Sequence, residues 1–304
     1  MGLIIVDGNS IGHANHSGAR LTAGAMETQM IYGTVKSLRG MATKYHNYQI
    51  IVLWDGKTRW RQQIYSEYKG NRLAKDEKEQ ASKDSYEKQV KYARKMIQHM
   101  GIGQCYATTH EADDIARQFI DRALSANKDV ILCTGDKDWL QYVQPGVMWF
   151  DPIRDRMANH STFFEFTGYR TPYQFVQGKA LQGDISDNIP GVGKIGEKGA
   201  PELLAQFGSV ENFWDMVDEG AYSPKTKAHQ HLAAPETREV FKRNMKLMSL
   251  RDAPAPLAKD MVIISPDYNE SKFLVMCEAL AFRSIAKDVS GFLEPFRKTE
   301  RKAA

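Results

Sequence analysis

Three short apolar runs each end on an aspartate. Residues 3–6 (Leu-Ile-Ile-Val) run into Asp7-Gly8-Asn9, residues 50–54 (Ile-Ile-Val-Leu-Trp) into Asp55-Gly56, and residues 130–133 (Val-Ile-Leu-Cys) through Thr134-Gly135 into Asp136. A run without a polar face reads as a strand buried on both sides. Between the first two, Met30, Ile31, Val35, Leu38 and Met41 recur at helical spacing within 27–46. Buried strands alternating with helical segments indicate an α/β domain with a parallel sheet. Ligands of such sheets bind off the carboxyl ends of the strands. Asp7, Asp55 and Asp136 are therefore expected to meet on one edge. One strand ending in Asp is a common turn signal; three are hard to explain that way. Residues 149–152 (Trp-Phe-Asp-Pro) read as a final strand leaving the sheet.

The 304 residues allow a sizeable core, as one large domain or a domain with an appendage. A net charge of +4 does not by itself imply nucleic acid. Cys105, Cys133 and Cys277 are odd in number and widely spaced, which offers neither a disulfide framework nor a zinc pattern. The opening GLIIVDGNS lacks the basic flank and apolar length of a signal peptide. No apolar run approaches the roughly 18 residues of a membrane span. The expected compartment is the reducing cytoplasm, and the expected state a monomer without membrane attachment.

Charge is concentrated between 57 and 100, where twelve Lys and Arg face six Asp and Glu. Trp60, Tyr65, Tyr68 and Tyr86 are interleaved with them. Basic side chains with exposed aromatics suit a nucleic-acid strand, through phosphate pairing and base stacking. A solvated, charged helix pair is the alternative. Residues 73–85 have too few apolar groups to pack as core.

Further acids follow. Glu111, Asp113 and Asp114 open a helix with Ile115, Phe119 and Leu124 as its buried positions, and three acids in four residues exceed what capping needs. Asp138 follows Asp136. The stretch 183–199, GDISDNIPGVGKIGEKG, places Asp184 and Asp187 at i,i+3, then Gly191, Gly193, Gly196 and Gly199 around Lys194 and Lys198. Acids at that spacing can share a divalent metal, and a Gly-rich turn opening a helix suits a phosphate. Taken alone, the stretch could equally be a bare loop with a solvated acidic cap.

Nine carboxylates converging on one cleft would repel one another unless cations neutralised them. The set is all oxygen, without Cys or His, which points to Mg²⁺ or Mn²⁺ rather than zinc. More acids than one octahedral ion needs suggests two ions, the arrangement for in-line displacement at phosphorus. A glycosidase-type carboxylate pair would need no basic strand-binding region.

IIVDGN at 4–9, YKGNR at 68–72, EADD at 111–114, GDKD at 135–138 and the stretch 183–199 together resemble the 5′-nuclease superfamily of flap endonucleases, phage 5′–3′ exonucleases and the 5′-nuclease domain of bacterial DNA polymerase I. The resemblance implies a PIN-like parallel sheet flanked by helices over 1–160, with a helical arch at about 57–100. It also implies a helical DNA-binding region over 161–304, with a helix–three-turn–helix element at about 183–207. By analogy, Asp7, Asp55, Glu111, Asp113, Asp114, Asp136, Asp138, Asp184 and Asp187 bind two Mg²⁺ directly or through water, with Mn²⁺ able to substitute. Lys69 and Arg72 become catalytic cations on the scissile phosphate, and Tyr68 stacks on a base near the cut. The arch itself would span 73–85. Gly191, Gly193, Lys194, Gly196 and Lys198 grip duplex, with K⁺ on backbone carbonyls of the same element.

The implied activity is flap-endonucleolytic and 5′–3′ exonucleolytic hydrolysis of DNA near single-strand/duplex junctions, with RNA primers on DNA as further substrates and replication proteins as partners in trans. The cytoplasm would be a host's if the source is a phage. A DNA-binding protein without catalysis would lack some of these acids, and a PIN-type ribonuclease would lack the element at 183–199. Pro201 departs from the family pattern: it would interrupt a helix beginning near Gly196, or the helix starts later. Helical spacing recurs in 173–181, 202–207, 210–217 and 235–248. A linker is expected at 253–256, a last helix over 269–282 and a frayed basic tail from Arg297. No motif is legible after about 220.

Overall fold

Alternation along the apolar runs divides the core into two layers. Ile5, Leu53, Cys105 and Leu132 face one side of the sheet, and Ile4, Val6, Val52, Trp54, Ile131 and Cys133 the other. The computed structural model describes residues 1–297. Its strands are β1 (Gly2–Asp7), β2 (Thr22–Ala23), β3 (Met26–Glu27), β4 (Tyr48–Trp54), β5 (Gly103–Ala107), β6 (Val130–Cys133), β7 (Val147–Asp151), β8 (Arg156–Ala158), β9 (Gly183–Asp184), β10 (Ile189–Pro190) and β11 (Met261–Ile264). The central sheet has the order β11-β5-β4-β1-β6-β7-β8. Its five inner strands are parallel, and β11 and β8 pair antiparallel at the edges. The strand at 147–151 thus does not leave the sheet but turns back through β8.

The helices are α1 (Gly8–His16), α2 (Gln29–Lys44), α3 (Arg59–Ile64), α4 (Glu77–His99), α5 (Ala112–Ser125), α6 (Phe163–Thr167), α7 (Pro172–Gln182), α8 (Gly199–Phe207), α9 (Val210–Asp218), α10 (Lys227–Ala233), α11 (Pro235–Met248), α12 (Glu270–Ala279), α13 (Arg283–Ala286) and α14 (Val289–Leu293). One face of the sheet is covered by α5 and, beyond it, α7–α11. On the other lie α1, α2, α4 and the C-terminal helices. None of the described helices is long and apolar enough to cross a membrane.

Asp76 caps α4, its Oδ1 accepting from the Glu79 N–H at 2.7 Å, and the left-handed Gly101 (φ 78°) ends it. Residues 70–85 are largely exposed, as their composition requires. The second half of α4 is not: Tyr86, Ala93, Met96 and Ile97 are core. The exposed part of the expected arch is therefore much shorter than 57–100.

After the 253–256 loop the chain returns to the sheet, where β11 pairs with β5. Helix α12 begins where a last helix was expected, but α13 and α14 follow it. Phe273, Cys277, Ile285 and Leu293 from this segment join the core against α2 and α4. Arg297 is anchored by Tyr268 and Glu270, and the rest of the basic tail lies outside the described residues.

Candidate active site at the carboxyl edge of the sheet

The parallel register carries the strand-end acids to one edge. Asp7 ends β1; its Oδ1 accepts from the Ser10 N–H at 2.9 Å, capping α1, and its Oδ2 from the Thr134 hydroxyl at 2.8 Å. Asp55 follows β4, donating its N–H to Asn9 Oδ1 (3.0 Å) and accepting from the Ala112 N–H (2.8 Å). Asp136 Oδ1 accepts from the Asp138 N–H at 2.8 Å. Desolvation, with Asp7 and Glu111 adding repulsion, pushes the Asp55 carboxyl up to about 7. Desolvation and the neighbouring Asp138 push Asp136 to about 7 as well. Asp7 is raised by burial.

The EADD segment divides its acids between two tasks. Glu111 and Asp114 form a capping box at the start of α5. Asp114 has a fully buried side chain: Arg61 binds both its oxygens (2.6 and 3.0 Å), and Trp60 Nε1 and the Glu111 N–H donate to Oδ2. Arg61 is 2% exposed and also bonds Glu111 (3.0 Å) and the Leu247 carbonyl (2.8 Å). Asp114 therefore acts as a counter-charge to Arg61 and a cap that holds Glu111, while standing within 4.8 Å of Glu111 and Asp113 in a group whose carboxylates could share a cation. Arg61 is equally lost to the basic surface. Asp113 differs, since its Oδ1 is buried with no hydrogen-bond partner among the described residues. Desolvation and the adjacent Asp114 hold its carboxyl well above the usual range.

Asp113, Asp138, Asp184 and Asp187 line one small cavity together with Tyr68 and Arg61. Lys179, in the last turn of α7, pairs with Asp138 and lies 3.2 Å from Asp184 Oδ2. Burial disfavours its ammonium, but the two carboxylates outweigh this and raise it. Sequence reasoning missed Lys179; its only signal is a lone Lys in the apolar α7, five residues before Asp184.

On the other side, Lys69 pairs with Glu111 and lies 3.9 Å from Asp187, and Arg72 pairs with Asp187. Lys69 has φ 57°, a left-handed conformation costly for a non-glycine residue, and its N–H bonds the Asp187 carbonyl at 2.9 Å. Glu111 is destabilised by burial yet held low by Lys69 and Arg61.

Tyr68, expected to stack on a base, supports the acids from below in this structure. It is 3% exposed, and its hydroxyl donates to Glu111 (3.1 Å) and Asp187 (3.0 Å). Tyr86 is also buried, and Trp60 and Tyr65 are half-buried, so none of the four aromatics is fully exposed.

An orphaned carboxylate oxygen, carboxyls pushed towards neutrality and lysines drawn between acids describe a cluster short of positive charge. The donors are oxygen, the ligand type of hard divalent cations. His110 adjoins Glu111 in sequence but is not in the cluster of Glu111, Asp113 and Asp114. The residues fit a divalent metal.

The Gly-rich stretch lies beyond the acids. An added Cβ at Gly191 would sit 2.3 Å from the Gln182 carbonyl, and one at Gly183 2.3 Å from the Gly191 nitrogen, so the β9–β10 crossing requires glycine. Gly193 and Lys194 are both left-handed, and Lys194, Gly196 and Lys198 are exposed. Helix α8 starts at Gly199, which places Pro201 in its first turn, where no intrahelical N–H donor is needed. Asn244 of α11 binds the Ala180 and Pro190 carbonyls, and His231 of α10 lies 2.6 Å from the Val192 carbonyl, bracing the turn from behind.

Among solved structures, the chain is similar to the bacteriophage T5 D15 protein co-crystallised with metal ions (TM-score 0.70, 24% identity, 97% of this chain and 99% of that one). It is also similar to flap endonuclease-1 from Methanococcus jannaschii (TM-score 0.60, 13% identity, 98% and 93%). DNA polymerase I of Streptococcus pneumoniae is 31% identical over 278 residues, covering 86% of this chain and 30% of the polymerase. The thermostable DNA polymerase I of Thermus filiformis is 31% identical over 232 residues, 75% and 27%. The chain thus spans under a third of the length of these relatives. The model of the 5′-3′ exonuclease N-terminal resolvase-like domain matches residues 2–168, and that of its C-terminal SAM fold matches residues 170–269. With both halves matched, one carrying the acid edge and the other the braced turn, the chain belongs to the 5′-3′ exonuclease family.

Proposed function

We infer that this chain cuts DNA near junctions of single strand and duplex, as a flap endonuclease and 5′–3′ exonuclease that leaves 5′-phosphates. Its family is one of metal-dependent phosphodiester hydrolases. The observation that carries the junction reading is that the acid cluster at the sheet edge includes Asp184 and Asp187, which lead directly into an exposed glycine turn carrying Lys194 and Lys198.

Two Mg²⁺ ions, replaceable by Mn²⁺, are proposed at Asp7, Asp55, Glu111, Asp113, Asp114, Asp136, Asp138, Asp184 and Asp187, held directly or through water. Bound there, they supply Lewis-acid charge neutralisation and a more acidic water. Once cations balance the acids, Lys69 and Arg72 are released from Glu111 and Asp187 to meet the scissile phosphate. Lys offers a point charge and Arg a planar fork for the developing negative charge. Lys194 and Lys198 hold the duplex backbone, which sets the distance from junction to cut. K⁺ is proposed at the carbonyls of the 191–199 turn, where Val192 also faces His231. RNA primers on DNA are proposed substrates and replication proteins proposed partners, the chain acting as a cytoplasmic monomer.

The test is a substrate panel in Mg²⁺: a 5′-flap duplex, a nicked duplex, an RNA–DNA primer duplex and a free single strand. The flap is expected to be cut at the junction, giving ends that ligase accepts. Equal cutting of the free single strand would contradict junction recognition.

A further inference from the structure

Thr134 is fully buried one residue beyond β6, and its N–H bonds the Phe150 carbonyl of β7 at 3.0 Å. Its hydroxyl makes two contacts: Asp7 Oδ2 at 2.8 Å and the Asp136 N–H at 3.0 Å. A backbone N–H can only donate, so the oxygen accepts from Asp136 and its single proton goes to Asp7. Beside it, Ser10 donates its N–H to Asp7 Oδ1 and accepts the Gly135 N–H on Oγ, both at 2.9 Å. The Asp7 carboxylate is thus held by neutral donors only, the Thr134 hydroxyl and the backbone N–H groups of Ser10 and Asn9, and keeps lone-pair capacity for a cation.

We propose that Thr134 is a positioning residue that locks Asp7 and Asp136 at a fixed separation and thereby sets the affinity of the acid edge for a divalent cation. This rests on both aspartates being cation ligands, as inferred above. Two strand ends that each carry a carboxylate tend to spread when empty, and a neutral hydroxyl bridging them resists that without adding charge. A Val of similar shape would fill the same space and supply neither bond.

The test is Mn²⁺ binding by calorimetry to the wild-type chain, Thr134→Val and Thr134→Ser, with thermal melts of each. Removing an outer partner of a metal ligand lowers affinity by about 10- to 100-fold. Thr134→Val is expected to bind Mn²⁺ at least about 10-fold more weakly. Its single-turnover rate should recover towards wild type as Mg²⁺ is raised, and Thr134→Ser should stay near wild type in both. If Thr134→Val does not fold, Thr134→Ala takes its place against the same Thr134→Ser control. Wild-type affinity in the hydroxyl-free variant, or an equal loss in Thr134→Ser, would overturn the inference alone. A wild-type chain that binds no Mn²⁺ would overturn the metal reading and this inference with it.

Discussion

At Asp113 a buried oxygen has no hydrogen-bond partner among the described residues, whereas the oxygens of Asp114 are bound by Arg61, Trp60 and a backbone amide. Replacing the two therefore has different consequences. Asp114→Ala removes the two-oxygen partner of the buried Arg61 guanidinium, and breaking a buried ion pair in this way costs about 3–5 kcal/mol. Chemical denaturation should show that loss for Asp114→Ala and a near-neutral or stabilising effect for Asp113→Asn, which relieves repulsion. Cleavage should fall in both, but only Asp113→Asn should do so in a stably folded protein. For Lys69→Ala, the single-turnover rate should drop by about 10²–10³-fold, with a much smaller change in DNA binding; equal losses would refute a catalytic role. The acids were legible because strand ends and i,i+3 spacing constrain where a carboxylate goes. The fates of Arg61, Lys179 and Tyr68 were not, because which carboxylate a long side chain reaches depends on helices far apart in sequence.

Among the elements, α8 shows how position decides what a proline does. Pro201 in the first turn breaks no helical hydrogen bond, so Pro201→Ala should shift stability by less than about 1 kcal/mol and leave duplex affinity unchanged. Gly191→Ala would push a Cβ against the Gln182 carbonyl and should weaken both the fold and duplex binding, measured by melting and by anisotropy. Strands β1, β4, β6 and β7 were readable from apolar runs, and α2, α7, α8, α9 and α11 from helical spacing. Strand β5 (GQCYA) was not, because it lacks an apolar run and is defined by its pairing with β4 and β11. Strand β11 is apolar (MVII) but lies beyond a Pro-rich loop in a helical context, and only its antiparallel pairing makes it part of the sheet.

Across the molecule, the acid edge couples folding to pH and metal. Asp55 and Asp136 rise from the ordinary 3.8 to about 7 on folding, so the metal-free fold binds protons that the unfolded chain releases. Their contribution to stability is complete below 3.8 and is lost as pH rises through about 7. Glu111 and Asp184 are lowered, so they lose stability on the acid side and do not offset this window. A divalent cation favours the carboxylate forms, so the Mg²⁺-induced rise in Tm should grow between about pH 5.5 and 8. A rise independent of pH would contradict that coupling.

On this reading the acid edge is a metal-dependent cutting site served by the turn beside it. Its most direct measurement is single-turnover cleavage of a 5′-labelled flap duplex with Mg²⁺, with EDTA, and with Asp136→Asn or Asp184→Asn protein that still binds the duplex. Cleavage by the wild type in Mg²⁺ alone, abolished by EDTA and strongly reduced in both variants, is the predicted result. A wild-type chain that binds the flap but does not cut it in Mg²⁺ would contradict the account.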